Sequence, residues 1–252
     1  MSLDFRPRVA LSSLSGESDA EWARQGSAYA GAAFLGGIAI DGPTREAARA
    51  IVERDRTEFL PGDPVAFVDD QLASLADAPL LPGVNVRTTS VAPLREVAAV
   101  CRDRGAVLEV NAHCRQDELC AAGAGETLLA DGDRLCEYVR AASATGATVS
   151  VKVRAAVGGV DLPSLAERLA DAGADAIHVD AMDSEPVVAD VVDSAPELFV
   201  IANNEVRDRE SVREYLGYGA DAVSVGRPST DPRVLERVRD ATREWFGAEV
   251  GP

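Results

Sequence analysis

Residue types that can donate protons or hold anions cluster where an apolar run ends. In LEVNAHC, the apolar run Leu108 to Val110 gives way to Asn111, His113 and Cys114: an amide, an imidazole and a thiol within four positions. A free thiol titrates near 8.5, so at neutral pH it is mostly protonated and can act as a general acid. The competing reading of Cys114 is a small buried hydrophobe. A second loaded stretch is VSVKVR, where Lys152 is the sole lysine among 25 basic residues. A chain that uses arginine everywhere else and keeps one compact ammonium would need it beside a polarised carbonyl or an anionic ring, where a guanidinium is too bulky. Strand alternation puts Ser150, Lys152 and Arg154 on one face and three valines on the other, so the polar face should point inward. The runs FVIANNEV and GADAVSVGRPS supply Asn203, Asn204, Gly226 and Arg227, a combination of close backbone approach and guanidinium donors suited to a phosphate. Glycine-arginine after a strand is by itself as readily an ordinary turn.

These residues need a scaffold that gathers strand ends. Eight β-rich runs alternate with helical patterns: Val9 to Leu14, Ala32 to Ile40, Gly83 to Arg87, Ala106 to Asn111, Thr148 to Arg154, Ala176 to Val179, Leu198 to Ala202 and Ala222 to Val225. Between them lie amphipathic segments such as Val91 to Arg104, Leu162 to Ala172, Arg209 to Leu216 and Asp231 to Trp245. The dipeptide Gly-Ala recurs at Gly105, Gly146, Gly173 and Gly219, where each helix must end and turn inward. The pattern predicts the α/β class, a single (β/α)8 TIM barrel over residues 1–252, with function at the C-terminal ends of the strands. There the polar tips collect: Ser12 and Ser13, Asn85 and Arg87, Asn111 to Cys114, Lys152 and Arg154, His178 and Asp180, Asn203 to Glu205, Gly226 and Arg227. The segment from Arg45 to Leu81 is long for one βα unit and should hold an extra helix or a lid.

Composition bounds the rest. A chain of 252 residues with 46% hydrophobic content can bury one large core. No run approaches 18 apolar residues and the first residues lack an apolar signal core, so a cytoplasmic protein without membrane insertion is expected. Cys101, Cys114, Cys120 and Cys136 show no paired ligand spacing; they read as reduced thiols, the three others at helical core positions, and no metal site is expected. The formal net charge of -17 with almost no lysine points to a high-salt cytoplasm, or alternatively to the arginine codons of a GC-rich genome.

In order, NAHC, AGAGETLL, VKVR, ADAIHVDAM, VIANNEV and GADAVSVGRPS, across roughly residues 8 to 230, resemble the successive motifs of the dihydrouridine synthases. These are flavin-dependent barrels that reduce uridine in transfer RNA; the chain is more similar still to a group of archaeal barrel relatives. The resemblance implies FMN at the barrel mouth, Asn85 at the family's ring-touching glutamine, Lys152 at the flavin's N1/C2 edge, and Ser12 and Ser13 beneath the ring. Asn203, Asn204, Gly226 and Arg227 would hold the phosphate. Asn111 and Cys114 fall on an N-x-G-C motif, which makes Asn111 the orienter of the substrate ring and Cys114 its proton donor while the flavin delivers hydride. His113, Arg154, His178 and Asp180 would face the substrate.

Three departures mark this chain. His113 and Arg115 replace the motif's glycine and proline. The family's histidine after strand six becomes Asp180, with His178 two residues earlier either a partial substitute or a satisfied core histidine. The family's C-terminal helical domain for transfer RNA is expected to be missing, and an acidic surface repels phosphate backbones. A small-molecule or nucleoside substrate is therefore expected over transfer RNA. The expected activity is FMN-dependent oxidoreduction of a C=C bond in a pyrimidine-type ring. Its alternatives are a dihydropyrimidine or dihydroorotate dehydrogenase-like reaction on a free base, a flavin-free phosphate-binding lyase or isomerase, and a non-catalytic FMN-binding barrel.

Overall fold

In the computed structural model, which describes residues 3–248, eight parallel strands close into a barrel in chain order, with β1 paired to both β2 and β8. The strands are β1 (Val9–Leu11), β2 (Ala32–Ala39), β3 (Leu81–Arg87), β4 (Val107–Asn111), β5 (Thr148–Arg154), β6 (Ala176–Asp180), β7 (Phe199–Asn203) and β8 (Ala222–Val225). Around them run α1 (Ala20–Gly26), α2 (Gly42–Val52), α3 (Pro64–Ala73), α4 (Val91–Arg104), α5 (Asp117–Ala121), α6 (Glu126–Ala130), α7 (Gly132–Ser143), α8 (Leu162–Asp171), α9 (Val187–Ser194), α10 (Arg209–Gly217) and α11 (Pro232–Ala248). The fold is the (β/α)8 barrel that the alternation predicted. Among the described residues no helix is long and apolar enough to cross a membrane.

Two alternating faces of each strand build two cores. The outward residues, such as Leu108 and Val110 of β4 and Val149, Val151 and Val153 of β5, pack with Leu94 and Val97 of α4 in the layer between sheet and helices. The inward residues Ala10, Phe34, Val107, Phe199 and Ile201 form a second, smaller cluster, closed at the N-terminal end by Leu3 and Phe5. The inward positions nearer the strands' C-terminal ends are polar instead, and they are buried: Asn85, Glu109, Asn111, Ser150, Lys152, His178 and Ser224. The barrel interior is thus apolar at one end and polar at the other, the layered filling expected of this architecture.

The glycines of the four Gly-Ala pairs all take positive φ, from 65° at Gly105 to 97° at Gly173. The long segment after β2 contains the expected extra helix, α3, started by Asp63 and Pro64. The residues between α2 and α3 form an extended loop over the barrel mouth. Strand β1 stops at Leu11, short of the expected Leu14, although Ser12 N–H still donates to the Val225 carbonyl at 2.9 Å. Helices α5 and α6 had no sequence signal because five residues are too few to show a helical period.

Asp41 ties two βα units together. As N-cap of α2 its carboxylate accepts from Thr44 N–H at 3.1 Å and Thr44 Oγ at 2.6 Å, and its other oxygen accepts from the hydroxyls of Thr88 and Thr89, each at 2.9 Å. Burial pushes this carboxyl up, but the donors outweigh it and hold it below its usual range. A group depressed in the folded state stabilises above its unfolded value, near 3.9, and that stability fades as pH falls through the folded value. Asp41→Ala should therefore lower stability to urea by about 2–4 kcal/mol at neutral pH. The gap to wild type should narrow below about pH 4.

Candidate active site

A cavity of about 860 Å3 opens at the C-terminal end of the barrel, near the upper end of the volumes that hold cofactors. Twelve of the fourteen residues singled out from sequence line it: Ser12, Ser13, Asn111, His113, Cys114, Lys152, Arg154, Asp180, Asn203, Asn204, Gly226 and Arg227. The remaining two lie beneath its floor. Asn85 and His178 are fully buried and do not line the cavity, so direct contact of Asn85 with a bound ring, and of His178 with a substrate, is replaced by a supporting position. Alternation gives the face a residue occupies and not its depth along the barrel axis, and both side chains sit a layer too deep.

What they support is Glu109, which sequence reasoning did not single out. This carboxylate, wholly buried in the middle of β4, accepts from Asn85 Nδ2 at 2.8 Å, from Ser150 Oγ at 3.2 Å and from His178 Nδ1 at 2.8 Å. On its other ring nitrogen His178 meets Ser224 Oγ at 2.7 Å, and that oxygen accepts from Asn203 Nδ2 at 2.6 Å. Burial pushes the Glu109 carboxyl up, but His178, Lys152 and the Asn85 amide outweigh it and leave it below the usual range, ionised at neutral pH. Burial also pushes His178 down, more than Glu109 can raise it, so the imidazole is neutral and donates through Nδ1. A signal for Glu109 existed: a charge at the centre of VLEVN on the same face as Asn111.

From Glu109 the hydrogen bonds climb to the thiol loop. Asn111 Nδ2 donates to Asn85 Oδ1 at 2.8 Å, and Asn111 Oδ1 accepts the backbone N–H groups of His113 at 3.3 Å and Cys114 at 3.2 Å. The amide of Asn111 thus shapes the turn that carries the cysteine. On the far side the Cys114 carbonyl accepts from Glu126 N–H at 3.0 Å. Gly125 passes this carbonyl so closely that an added Cβ would lie 2.2 Å from its oxygen, and its φ is 57°; only glycine fits. Cys114 is half-buried, lines the cavity and packs in part against Ala47, Ile51 and Leu119, whereas Cys101 and Cys136 are buried in helices α4 and α7. Cys120 departs from the core position expected of it: it is half-buried, with its thiol 3.5 Å from the Cys114 carbonyl.

The sole lysine is 2% exposed and donates from Nζ to Ser12 Oγ across the mouth. Burial pushes its ammonium below the usual value, against the opposing pull of Glu109 and Asp180. The His113 ring, half-buried at the cavity wall, is held well below its ordinary value by burial and then by the positive charges of Lys152, Arg87 and Arg154, so it is neutral. Asp180 has one buried carboxylate oxygen, Oδ1, with no partner, and Arg154 beside it pairs with Glu126 at 3.3 Å. Among the described residues no three His, Cys, Asp or Glu gather as a metal site would need.

At the β7 and β8 ends the backbone is strained and its donors are free. Asn204 and Glu205 have φ of 118° and 51°, conformations that cost roughly 1–3 kcal/mol each in a non-glycine residue. The N–H groups of Asn204, Glu205, Val206 and Gly226 donate to no protein acceptor among the described residues, and all four residues line the cavity. Converging free amides beside a cationic side chain, here Arg227, make an anion site.

Opposite them a loop closes the mouth. Glu58, between α2 and α3, pairs with Arg87 of β3 at 2.5 Å; the two side chains are 2% and 3% exposed. Arg87 also donates to Ser15 Oγ, and Thr57 Oγ donates to the Ser15 carbonyl at 2.9 Å. Glu58 had no sequence signal, since irregular loops carry no period. Glu58→Ala would leave Arg87 buried without its carboxylate. We expect a loss of about 3–5 kcal/mol in urea unfolding, together with new protease cleavage between residues 53 and 63 under native conditions. An unchanged digestion pattern would show that the pair does not fasten the loop.

Comparison with known proteins finds a match to the family model "Dihydrouridine synthase (Dus)" over residues 71–249. An uncharacterized protein of Methanocaldococcus jannaschii is 25% identical over 233 residues, covering 87% of this chain and 88% of the relative. Among solved structures, the DHODH of Eimeria tenella in complex with ferulenol superposes with a TM-score of 0.70 at 15% identity, covering 98% of this chain and 83% of that one. The thiamine phosphate pyrophosphorylase of Pyrococcus furiosus superposes with a TM-score of 0.55 at 14% identity, covering 96% of each.

Proposed function

Because the chain belongs to the dihydrouridine synthase family, a family of flavin-dependent oxidoreductases on this barrel, we propose that its mouth cavity binds FMN and that it reduces or oxidises a C=C bond in a pyrimidine-type ring. The observation that carries this reading is the convergence of the sole lysine, the half-buried Cys114 thiol and the free amides of the β7 and β8 ends on one cavity. The residues fit the cofactor. The unpartnered N–H groups of Asn204, Glu205, Val206 and Gly226, with Arg227, suit a phosphate, and the space facing Gly226 is open, with no atom within 4 Å of where a Cβ would stand. Lys152, with Ser12 and Ser13, would hold the ring system. When bound, FMN supplies hydride transfer.

The chain's own residues then divide the remaining tasks. Cys114, which lines the cavity, holds at its thiol the proton exchanged with one carbon of the substrate double bond. Asn111 fixes the turn that presents it, and its Nδ2 keeps a second hydrogen for the substrate ring. Lys152 keeps a positive charge at the cavity floor, where negative charge on a reduced ring is stabilised best. Asp180, which lines the cavity, accepts an N–H from the substrate in place of the family's histidine. His113 and Arg154 complete the substrate side. The acidic, lysine-poor composition fits work in a salt-rich cytoplasm, where screening over about 3 Å at molar salt suppresses self-repulsion.

Denaturing the purified protein should release one flavin per chain, seen in its visible absorption. Cys114→Ala should retain that flavin and lose about a hundredfold or more in anaerobic turnover of a pyrimidine, the usual contribution of a general acid. Lys152→Met should bind flavin more weakly and make it harder to reduce. A colourless protein, or a Cys114→Ala variant with full turnover, would refute the reading.

A further inference from the structure

The lining of the cavity opposes the charge of the molecule around it. The chain carries a formal -17, yet seven cationic side chains line the mouth against four carboxylates. Four of the seven are already committed: Lys152 to the floor and Arg87, Arg154 and Arg207 to Glu58, Glu126 and Glu205. Among the described residues the other three, Arg227, Arg56 and Arg115, pair with no carboxylate. Arg227 follows β8, beside the free amides.

Arg56 and Arg115 stand elsewhere. Arg115 follows Cys114 in the loop after β4, four strands round the closed ring from β8 and so across the mouth from it. Arg56 belongs to the loop between α2 and α3, and that loop is stapled to the β4 loop by Arg54, which donates to Gln116 at 3.2 Å and pairs with Glu118 at 2.7 Å. The same loop is fixed to β3 by the buried Glu58–Arg87 pair and to the segment after β1 by Thr57, which donates to the Ser15 carbonyl. Two free guanidinium groups are therefore carried on mutually fastened loops beside the thiol, away from the amides that suit a cofactor phosphate. The mouth has two anion-binding poles where one would serve a mononucleotide cofactor.

Resting on the reading of this cavity as a flavin site, we infer that the substrate is a small free molecule bearing its own carboxylate or phosphate, which Arg56 and Arg115 hold at the rim beside Cys114. An N–H of its ring would meet Asp180, which lines the cavity two strands further round, where the negative carboxylate is kept clear of the anionic group. A long polyanion satisfies the same arginines less well. Positive charge is concentrated inside the mouth, and a nucleic acid strand extending past the rim would run over a strongly acidic surface.

Calorimetric titration of the purified holoprotein with uracil against its 6-carboxylate, uridine against uridine monophosphate, and a transfer RNA transcript tests this directly. The anionic partner of at least one pair should bind about tenfold or more tightly than the neutral one, the size of a single charge-assisted hydrogen bond, and that ratio should fall to near one in Arg56→Ala/Arg115→Ala. The carboxylate pair and the phosphate pair separate the two anionic groups. The double variant alters only exposed side chains, and its flavin content should equal that of wild type, so a lost preference is read apart from a lost cofactor site. Equal affinity for neutral and anionic partners in both pairs, or a preference that survives the double substitution, would overturn the inference, as would transfer RNA binding more tightly than every small molecule. A protein without flavin would instead refute the cofactor reading, while the titrations still report on the two arginines.

Discussion

A negative charge in the middle of a closed barrel is the constraint around which the rest of the site is arranged. Taking a carboxylate such as Glu109 out of water costs several kcal/mol even after relaxation, and the cost is offset only where partners meet it from several sides. Here an amide, a hydroxyl and an imidazole hydrogen-bond to it from β3, β5 and β6, and the ammonium of Lys152 adds its charge. Asn85 and His178 are thereby fixed, and each has a second contact that reaches toward the mouth: Asn85 toward Asn111 and the Cys114 turn, His178 toward Ser224 and Asn203. The geometry of the thiol loop at one side and of the asparagine at the other is set by one ion buried beneath both.

The second buried pair acts on the loops where the first acts on the strands. Arg87 and Glu58 are nearly as inaccessible as Glu109, but one belongs to a strand and the other to an irregular segment. Burial pushes the Glu58 carboxyl above its usual value in spite of Arg87, so this pair is held at some electrostatic cost. What the pair secures is specificity of placement: it is the buried anchor of the loop between α2 and α3, which Arg54 and Thr57 otherwise hold only through exposed contacts. The mouth therefore owes its floor to hydrogen bonds inside the barrel and its rim to an ion pair between barrel and loop.

Nearly all of the architecture was legible in the residues, because a barrel is written in two periods. Alternation in VSVKVR gave the inward face of Lys152, and the helical period from Val91 gave α4 to its observed bounds. The strand tips were legible for the same reason, since a polar residue ending an apolar strand has few places to go. Depth was not. Asn85 and His178 share a face with cavity-lining residues and differ from them only in height, which depends on strand stagger that no local pattern encodes. Glu58 and the short helices α5 and α6 were invisible because their placement is decided by tertiary contacts.

The two ends of the cavity show opposite uses of backbone energy. Around Cys114 the turn is held on both sides: Gly125 admits the close approach, Glu126 N–H meets the carbonyl, and Asn111 takes the amides of His113 and Cys114. After β7 the chain does the reverse, holding Asn204 and Glu205 in left-handed conformations while leaving amides unpaired at the cavity wall. Strain of that kind persists only where surrounding structure enforces it, and here Tyr215, buried in α10, donates its hydroxyl to the Asn204 carbonyl at 3.1 Å. A segment that gives up stability to hold its donors outward is preorganised: the cost of orienting them is met in folding and need not be met again when an anion arrives. On the proposed reading the cysteine turn is tied down by hydrogen bonds for the opposite reason, since a proton donor must keep one position against a ring that comes and goes. One barrel end thus combines a strained pole with unpaired amides and a turn held on both sides of the cysteine, which the proposed reading assigns to binding and to chemistry.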